Sequence, residues 1–377
     1  MKKHIGRLFV FFFLMGLGIC IAGPDDSRVS VDFKQAFALD ILKLVAMRGG
    51  MNIVVSKKGG NVPVTVNFTD LTCVEAFGRV TSQAGLTMRR LGSSTFVFLD
   101  AGAPPPSEEI QHFGPGFSSE TISLDFRQAD IRDLLRIIAK KAGVNILPHK
   151  SVRGNVSCLF RDLPWNEALR ALLIGCRLEA VRCGDTVVVG DSRILCEMSV
   201  VASNSTLISA SKRSLQVNDT DIRDAFGLAA NSFGRSFLTG VSVRGNVTVS
   251  LLDLPENELL PLLARANGFD AVFLKGVWIL DDGRLVSTYQ EKLSGFSNAT
   301  ASEGIQLSFR DSSCADVLRL VAAKAPFSVK IEVPADLKIT LNLKDVSPVF
   351  ALHALAVAGR LSCEEQPDKS LYISSGK

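Results

Sequence analysis

The hexapeptide SVRGNV stands at Ser151–Val156 and again at Ser242–Val247, ninety-one positions later. The flanks agree at the same offset: DIRD at Asp130–Asp133 recurs at Asp221–Asp224, and DLP at Asp162–Pro164 recurs at Asp253–Pro255. Stepping back by ninety-two or ninety-three positions aligns VSVDFKQAF, NIVVSKKGGNVPVTVNFTDL and EAF with ISLDFRQAD, NILPHKSVRGNVSCLFRDL and EAL. Stepping forward by ninety-two gives IQLSFRDSSCADVLRLVA and KITLNLKDV. Self-similarity at a fixed period constrains a fold more than any local pattern, because one supersecondary unit must be built repeatedly. The chain of 377 residues reads as four copies, 28–100, 121–191, 213–282 and 305–377, joined by 101–120, 192–212 and 283–304. Units of roughly 70 residues lie near the lower limit for a self-sufficient core. Contacts between neighbours are expected to help, and residues 117–192 alone are expected to unfold cooperatively.

The second copy shows the unit most clearly. In ISLDF, Ile122, Leu124 and Phe126 alternate with Ser123 and Asp125, the pattern of a half-buried strand. Asp130 is placed to cap a helix whose apolar residues Ile131, Leu134, Leu135, Ile138 and Ala142 share one face, with Arg132, Arg136, Lys140 and Lys141 outward and Gly143 at its end. VNILPH reads as a second strand, Val156–Phe160 as a third, DLPWNEAL as the entry to a second helix, and LEAVRC and TVVVG as two closing strands. Thr72 with Glu75, and Asp253 with Glu256, have capping-box spacing. The order is βαββαββ, which predicts an α+β class: an array of four small domains, each with two helices on one face of a short mixed sheet and the other face open and polar.

SVRGNV falls between the second and third strands, where Gly154 and Asn155 suit a tight reversal. The third strand alternates in every copy, with Val64, Val66 and Phe68 as the inner set of the first. Its outer positions are Thr65, Asn67, Ser157, Thr248, Ser250, Thr340 and Asn342, with Leu159 and Leu252 as exceptions. A hairpin-like turn accounts for the repeated hexapeptide; a binding role for Arg153 and Arg244 is the competing reading. Arg132, Arg136, Arg153 and Arg244 are the candidate interaction positions.

The opening MKKHIGRLFVFFFLMGLGICIAGPDD carries Lys2, Lys3 and Arg7 ahead of an apolar run from Leu8 to Ala22. That is the form of a secretory signal over 1–22, with cleavage near Ala22 or Gly23, since the run is short of the ~20 residues a membrane-spanning helix needs. Ile19 before Cys20 departs from a lipidation signal. The chain has 42 basic and 38 acidic residues; without the signal's three basic residues the balance is +1, which gives no electrostatic footprint for nucleic acid. Seven cysteines follow the signal, and an odd number leaves at least one thiol unpaired within the chain. Cys176 and Cys183 are the pair closest in sequence and the candidate disulfide; isolated buried thiols are the alternative.

Catalytic and metal-binding patterns do not assemble. His112, His149 and His353 have no carboxylate or cysteine at ligand spacing, SASK at Ser209–Lys212 lacks companion motifs, and no glycine-rich phosphate loop occurs. The sequence points to a non-enzymatic chain without metal or cofactor.

The stretch from ISLDFRQADIRDLLRIIAKKAGVNIL to DLPWNEALRALL resembles the short N-terminal domain shared by bacterial secretins and TonB-dependent transducers, most of all the copy that precedes the channel in type IV pilus secretins. The third copy is similar but has Glu256 in place of Trp165; the first and fourth keep mainly the pattern. The resemblance implies a periplasmic module of a Gram-negative envelope that stacks in rings or docks a partner protein, with no catalytic residues. A secretin continues into a channel region; this sequence runs to LYISSGK without one, so the expectation is a scaffold or adapter that does not form a pore alone. The second reading is a signalling adapter that captures one partner, as in transducers. Self-association is expected to be weak or partner-dependent.

Overall fold

The computed structural model describes residues 27–56, 59–101, 120–191, 195, 211–295 and 304–375. The signal region, most of 101–120 and 192–212, and His112 lie outside these residues. The first unit runs β1 (Arg28–Phe37), α1 (Ala38–Gly49), β2 (Asn52–Ser56), β3 (Pro63–Thr72), α2 (Cys73–Ala84), β4 (Leu86–Leu91), β5 (Thr95–Asp100). The same order is traversed by β6 (Thr121–Asp130), α3 (Ile131–Ala142), β7 (Asn145–Pro148), β8 (Asn155–Pro164), α4 (Trp165–Cys176), β9 (Glu179–Cys183) and β10 (Thr186–Gly190). It recurs in β11 (Lys212–Asp221), α5 (Ile222–Ser232), β12 (Ser236–Thr239), β13 (Asn246–Pro255), α6 (Glu256–Ala266), β14 (Asp270–Leu274) and β15 (Val277–Asp281). After α7 (Gly283–Leu293) come β16 (Ile305–Ser313), α8 (Cys314–Ala322), β17 (Val329–Glu332), β18 (Lys338–Val346), α9 (Pro348–Ala358), β19 (Leu361–Glu365) and β20 (Leu371–Ser375).

The fold is α+β with small sheets, but each unit divides its strands between two sheets rather than one. The first and third strands pair antiparallel, as β1 does with β3; the second pairs parallel with the fifth, and the fourth antiparallel with the fifth. The cause lies in two bulges that twist the long first and third strands. Gln35, Gln128, Asp219 and Asp311 in the first strands, and Asp70, Asp162, Asp253 and Asp345 in the third, have left-handed backbone angles. Aspartate tolerates that region better than most residues, which accounts for the repeated Asp of the DL motif. Facing hydroxyls fix the bulges: Thr65, Ser157, Thr248 and Thr340 accept from the backbone N–H of Gln35, Gln128, Asp219 and Asp311 at 2.9–3.1 Å. Asp253 therefore belongs to a bulge, not to a capping box. Asp130 does cap α3, accepting from Arg132 N–H at 2.8 Å, and Thr72 and Glu75 form the expected box on α2.

SVRGNV has a specific structural task. The carbonyls of Gly154 and Gly245 accept from the first N–H groups of α3 and α5, those of Ile131 and Ile222, at 3.0 and 2.9 Å. Val62 and Leu337 do the same for Ala38 and Cys314 in the other two units. The glycines hold φ of 131° and 125°, and Val152 and Val243 are fully buried.

Neighbouring units share sheets. β2 pairs antiparallel with β8, so that β4-β5-β2-β8-β6 is one five-stranded sheet, and β12 pairs with β18 to give β14-β15-β12-β18-β16. The three-stranded sheets of the first three units are covered on both faces. Ile53 and Val55 lie in the first core, whereas Val54 and Val97 lie in the second; Leu147, Val181, Cys183 and Val188 belong to the third core, and Leu238, Val272, Val277 and Ile279 to the fourth. The segment 283–304 begins as helix α7, capped by Asp282, because Tyr289 and Leu293 are fully buried in the fourth core.

Candidate functional site: joints and end faces

The joints between units repeat one device. The residue that opens the second strand, Asn52, Asn145 or Ser236, turns its side chain onto the backbone of the next unit. Asn52 Oδ1 accepts from Arg161 N–H at 2.8 Å. Asn145 bonds both backbone groups of Leu252, at 2.7 and 2.9 Å, and Ser236 Oγ accepts from Lys344 N–H at 2.9 Å and donates to its carbonyl at 3.3 Å. An ion pair from the first helix to the next unit's first strand reinforces two joints: Asp40 with Arg127 at 3.1 Å, and Asp224 with Arg310.

The middle joint differs. Asn218 stands where Arg127 and Arg310 stand, and no strand pair links β7 to β13. Four polar groups face this joint or lie beside it: Cys183, Thr186, Glu258 and Arg265. Glu258 Oε2, Thr186 Oγ1 and one Arg265 guanidinium nitrogen are buried without a hydrogen-bond partner. Burial, with Asp185 adding repulsion, raises the Glu258 carboxyl above its ordinary range. Asn145 therefore carries more of this joint than Asn52 does of the first. Asn145→Ala should cost about 1–3 kcal/mol, the net worth of its two part-buried hydrogen bonds to Leu252. In urea denaturation it should split the transition between the two halves of the chain, whereas Asn52→Ala should leave it single.

The two end faces break the pattern. At the paired positions Val54–Val97, Leu147–Val188 and Leu238–Ile279, the fourth unit has Lys330–Tyr372. Glu332 and Glu364 are exposed beside them, and Tyr372 donates to Glu332. At the opposite end, Arg79, Ser82 and Gln83 of α2 are exposed where α4 buries Ala171, Ile174 and Gly175. Faces that are apolar at internal joints are polar at both ends.

The candidate arginines separate by role. Arg132 donates to the carbonyls of Val152 and Lys150 at 2.7 and 2.8 Å and so holds the hairpin loop. Arg136 pairs with Asp133 on its own helix, Arg244 lies 4.0 Å from Asp311 of the fourth unit, and Arg153 is exposed. Arg132, Arg136 and Arg153 belong to the second unit and Arg244 to the third. Cys176 packs on the second core and Cys183 in the third; no disulfide joins the two, and burial raises each thiol, Cys176 to about 12.

Cys363 Sγ lies 3.5 Å from His353 Nδ1. Burial raises the thiol to about 11 and lowers the imidazole, so the pair is neutral rather than a thiolate–imidazolium nucleophile. Among the described residues no three His, Cys, Asp or Glu side chains cluster at metal-binding distance, and no helix is long and apolar enough to cross a membrane. An open cleft of about 460 Å³ between α7 and α9 is lined by Asp282, Arg284, Lys292 and Arg360 among others.

Comparison with known proteins relates part of the chain to secretins. No family model matches. The type IV pilus biogenesis and competence protein PilQ of Neisseria gonorrhoeae is 32% identical over 106 residues, 28% of this chain and 15% of that protein. PilQ of Neisseria meningitidis is 31% identical over 142 residues, 38% of this chain and 17% of its own length. The fimbrial assembly protein PilQ of Pseudomonas aeruginosa is 29% identical over 73 residues, 19% of this chain and 10% of that protein. Part of this chain is thus homologous to the PilQ secretins. The matched stretch spans about a sixth of the length of the Neisseria relatives. The cryo-EM structure of the Vibrio cholerae type IV competence pilus secretin PilQ overlaps 29% of this chain and 27% of that one, at 19% identity and a TM-score of 0.19.

Proposed function

We propose that the protein is a non-enzymatic periplasmic scaffold or adapter, an array of four secretin-type N-terminal domains that docks onto a secretin-based machine of the outer membrane. The observation that carries this reading is the repeated joint: each unit is completed by its neighbour through a shared or bridged sheet, and the product is a continuous array of surface with no catalytic constellation among its described residues. The partial homology to pilus secretins supplies the kind of machine. Polar end faces make poor large dry interfaces, and obligate assemblies typically bury more than ~2,000 Å² of more apolar surface. Four linked units can still bind a ring tightly, since each later contact forms at high effective concentration.

Light scattering at micromolar concentration should show the mature protein as a monomer alone and in complex with N-terminal fragments of a secretin. A stable closed oligomer formed without any partner would replace the adapter reading with that of an autonomous ring. Crosslinking in the intact envelope should recover a secretin or another component of its machine.

A further inference from the structure

The third strands of the second and fourth units are completed by a strand from the preceding unit. In the first unit no described strand completes that edge. β8 receives β2 in the register Ile53↔Leu159, Val54↔Cys158, Val55↔Ser157, and β18 receives β12 with Phe237↔Asn342, Leu238↔Leu341, Thr239↔Thr340. The equivalent edge in β3 is Val64–Thr69, and among the described residues nothing pairs with its outer side. Burial records the difference. Ser157 and Leu159 are 0% and 4% exposed and Thr340 is 4% exposed, whereas Thr65 and Asn67 are exposed.

The direction of the backbone groups is fixed by the internal joints. Arg161 and Lys344 donate their N–H groups outward, to Asn52 and Ser236. Alternate residues of a strand point their N–H groups to the same side, so at the corresponding positions of β3 the N–H groups of Thr69, Asn67 and Thr65 point outward. Seven residues, PVTVNFT, are uncharged and rich in strand-forming types. An edge of that composition is adhesive unless guarded, and lysine or glutamate is the usual guard. The opposite edge of the array, β17, carries such guards in Lys330 and Glu332. The two ends are therefore unlike: one edge is protected and the other is not.

We propose that the outer edge of β3 is a docking site for an extended strand of a partner protein, added antiparallel and led by an asparagine or serine opposite Thr69. The argument is continuity with the internal joints, which use this edge with an Asn or Ser at the leading position. The occupant is a single strand rather than a packed apolar sheet, because α2 offers Arg79, Ser82 and Gln83 beside the edge where α4 offers Ala171, Ile174 and Gly175. A second copy of this chain is disfavoured as occupant, since its matching edge is the charged β17. Main-chain hydrogen bonds supply affinity in this mode of recognition, and the leading side chain supplies register.

This inference names the docking edge for the proposed adapter role and rests on it. The probe is a fluorescein-labelled peptide with the sequence of residues 50–58, GMNIVVSKK, whose Asn52–Ser56 stretch fills the homologous edge of the second unit. It should bind the full mature chain, and Asn67→Pro, which removes one outward N–H and no internal hydrogen bond, should weaken binding at least tenfold with an unchanged melting temperature. Replacing the peptide's asparagine by alanine should weaken it severalfold. Equal binding to the Asn67→Pro chain, or no binding at millimolar peptide, overturns the proposal. Self-association of the unmodified chain that Asn67→Pro abolishes would identify the occupant as a second copy and overturn the choice of a partner strand. An Asn67→Pro chain that still binds secretin fragments leaves the adapter role standing and sinks only this edge.

Discussion

A chain ending at Asp282 should self-associate at micromolar concentration, where the full-length protein is monomeric in the proposed reading. Truncation there removes the fourth unit together with α7. It bares the face of the third sheet formed by Leu238, Val272, Val277 and Ile279, all of which lie in the fourth core and are at most 8% exposed. Each such side chain loses about 1.5–3 kcal/mol of burial when returned to water. Together they form a contiguous apolar patch of the kind that marks an interface or an aggregation site. The fourth unit avoids this because its own outer face carries Lys330, Glu332 and Glu364, as terminal repeats of stacked proteins do. Light scattering and the binding of an apolar dye would measure the effect. A truncated chain that stayed monomeric without added dye binding would show that the fourth unit is not the cap of the third.

The same sharing of sheets changes what is expected of a single unit. Residues 117–192 alone would expose Leu147, Val181, Cys183 and Val188 on one side, and the Ala171 and Gly175 face of α4 on the other. Cooperative unfolding then belongs to paired units more than to one, and the pairs welded by five-stranded sheets are the natural pieces.

Much of this was legible in the sequence, and the parts that were not have a physical reason. The repeat, the order of elements, the cap at Asp130 and the box at Thr72–Glu75 follow from local spacing, which the structure respects. The split into two sheets does not, because a bulge adds one residue without disturbing the alternation on either side of it. The hydroxyls of the third strand read as a solvated outer face; Thr65 and Thr248 are exposed, Ser157 and Thr340 are buried, and all four clamp those bulges. Leu159 looked like an exception to that face. It packs in the core of the first unit, across the joint. One signal for the joints was present: Ile53–Val54–Val55, Val187–Val188–Val189 and Trp278–Ile279–Leu280 are unbroken apolar runs, the mark of strands buried on both faces, whereas VKIE and LYIS alternate. The candidate arginines were chosen as outward charges, but hydrogen bonding to carbonyls gives Arg132 a structural task that charge patterning does not reveal.

Gly175→Val should uncouple the first two units and lower stability by about 3 kcal/mol, the upper range for forcing extra methyl groups into a packed core. The sign is informative because helix propensity runs the other way: replacing glycine inside a helix by a residue with a side chain ordinarily stabilises it by a few tenths to about 1 kcal/mol. Here a Cβ on Gly175 would stand 2.5 Å from Val54 Cγ1 and 3.7 Å from a methyl of Val97. Val54 is held by strand pairing to both Val97 and Cys158, so it has little room to give. At the corresponding positions of α6 and α9 stand Ala266 and Ala358, and α2, against which no described sheet of another unit packs, has the long Gln83. Size at this position therefore follows the presence of a neighbouring sheet. The double variant Val54→Ala with Gly175→Val should recover much of the loss, since it removes the methyl groups that collide. Urea denaturation of the four chains of this cycle gives the coupling directly. Additive losses would show that the strain at Gly175 is internal to α4, and that the contact across the joint does not hold the two units together.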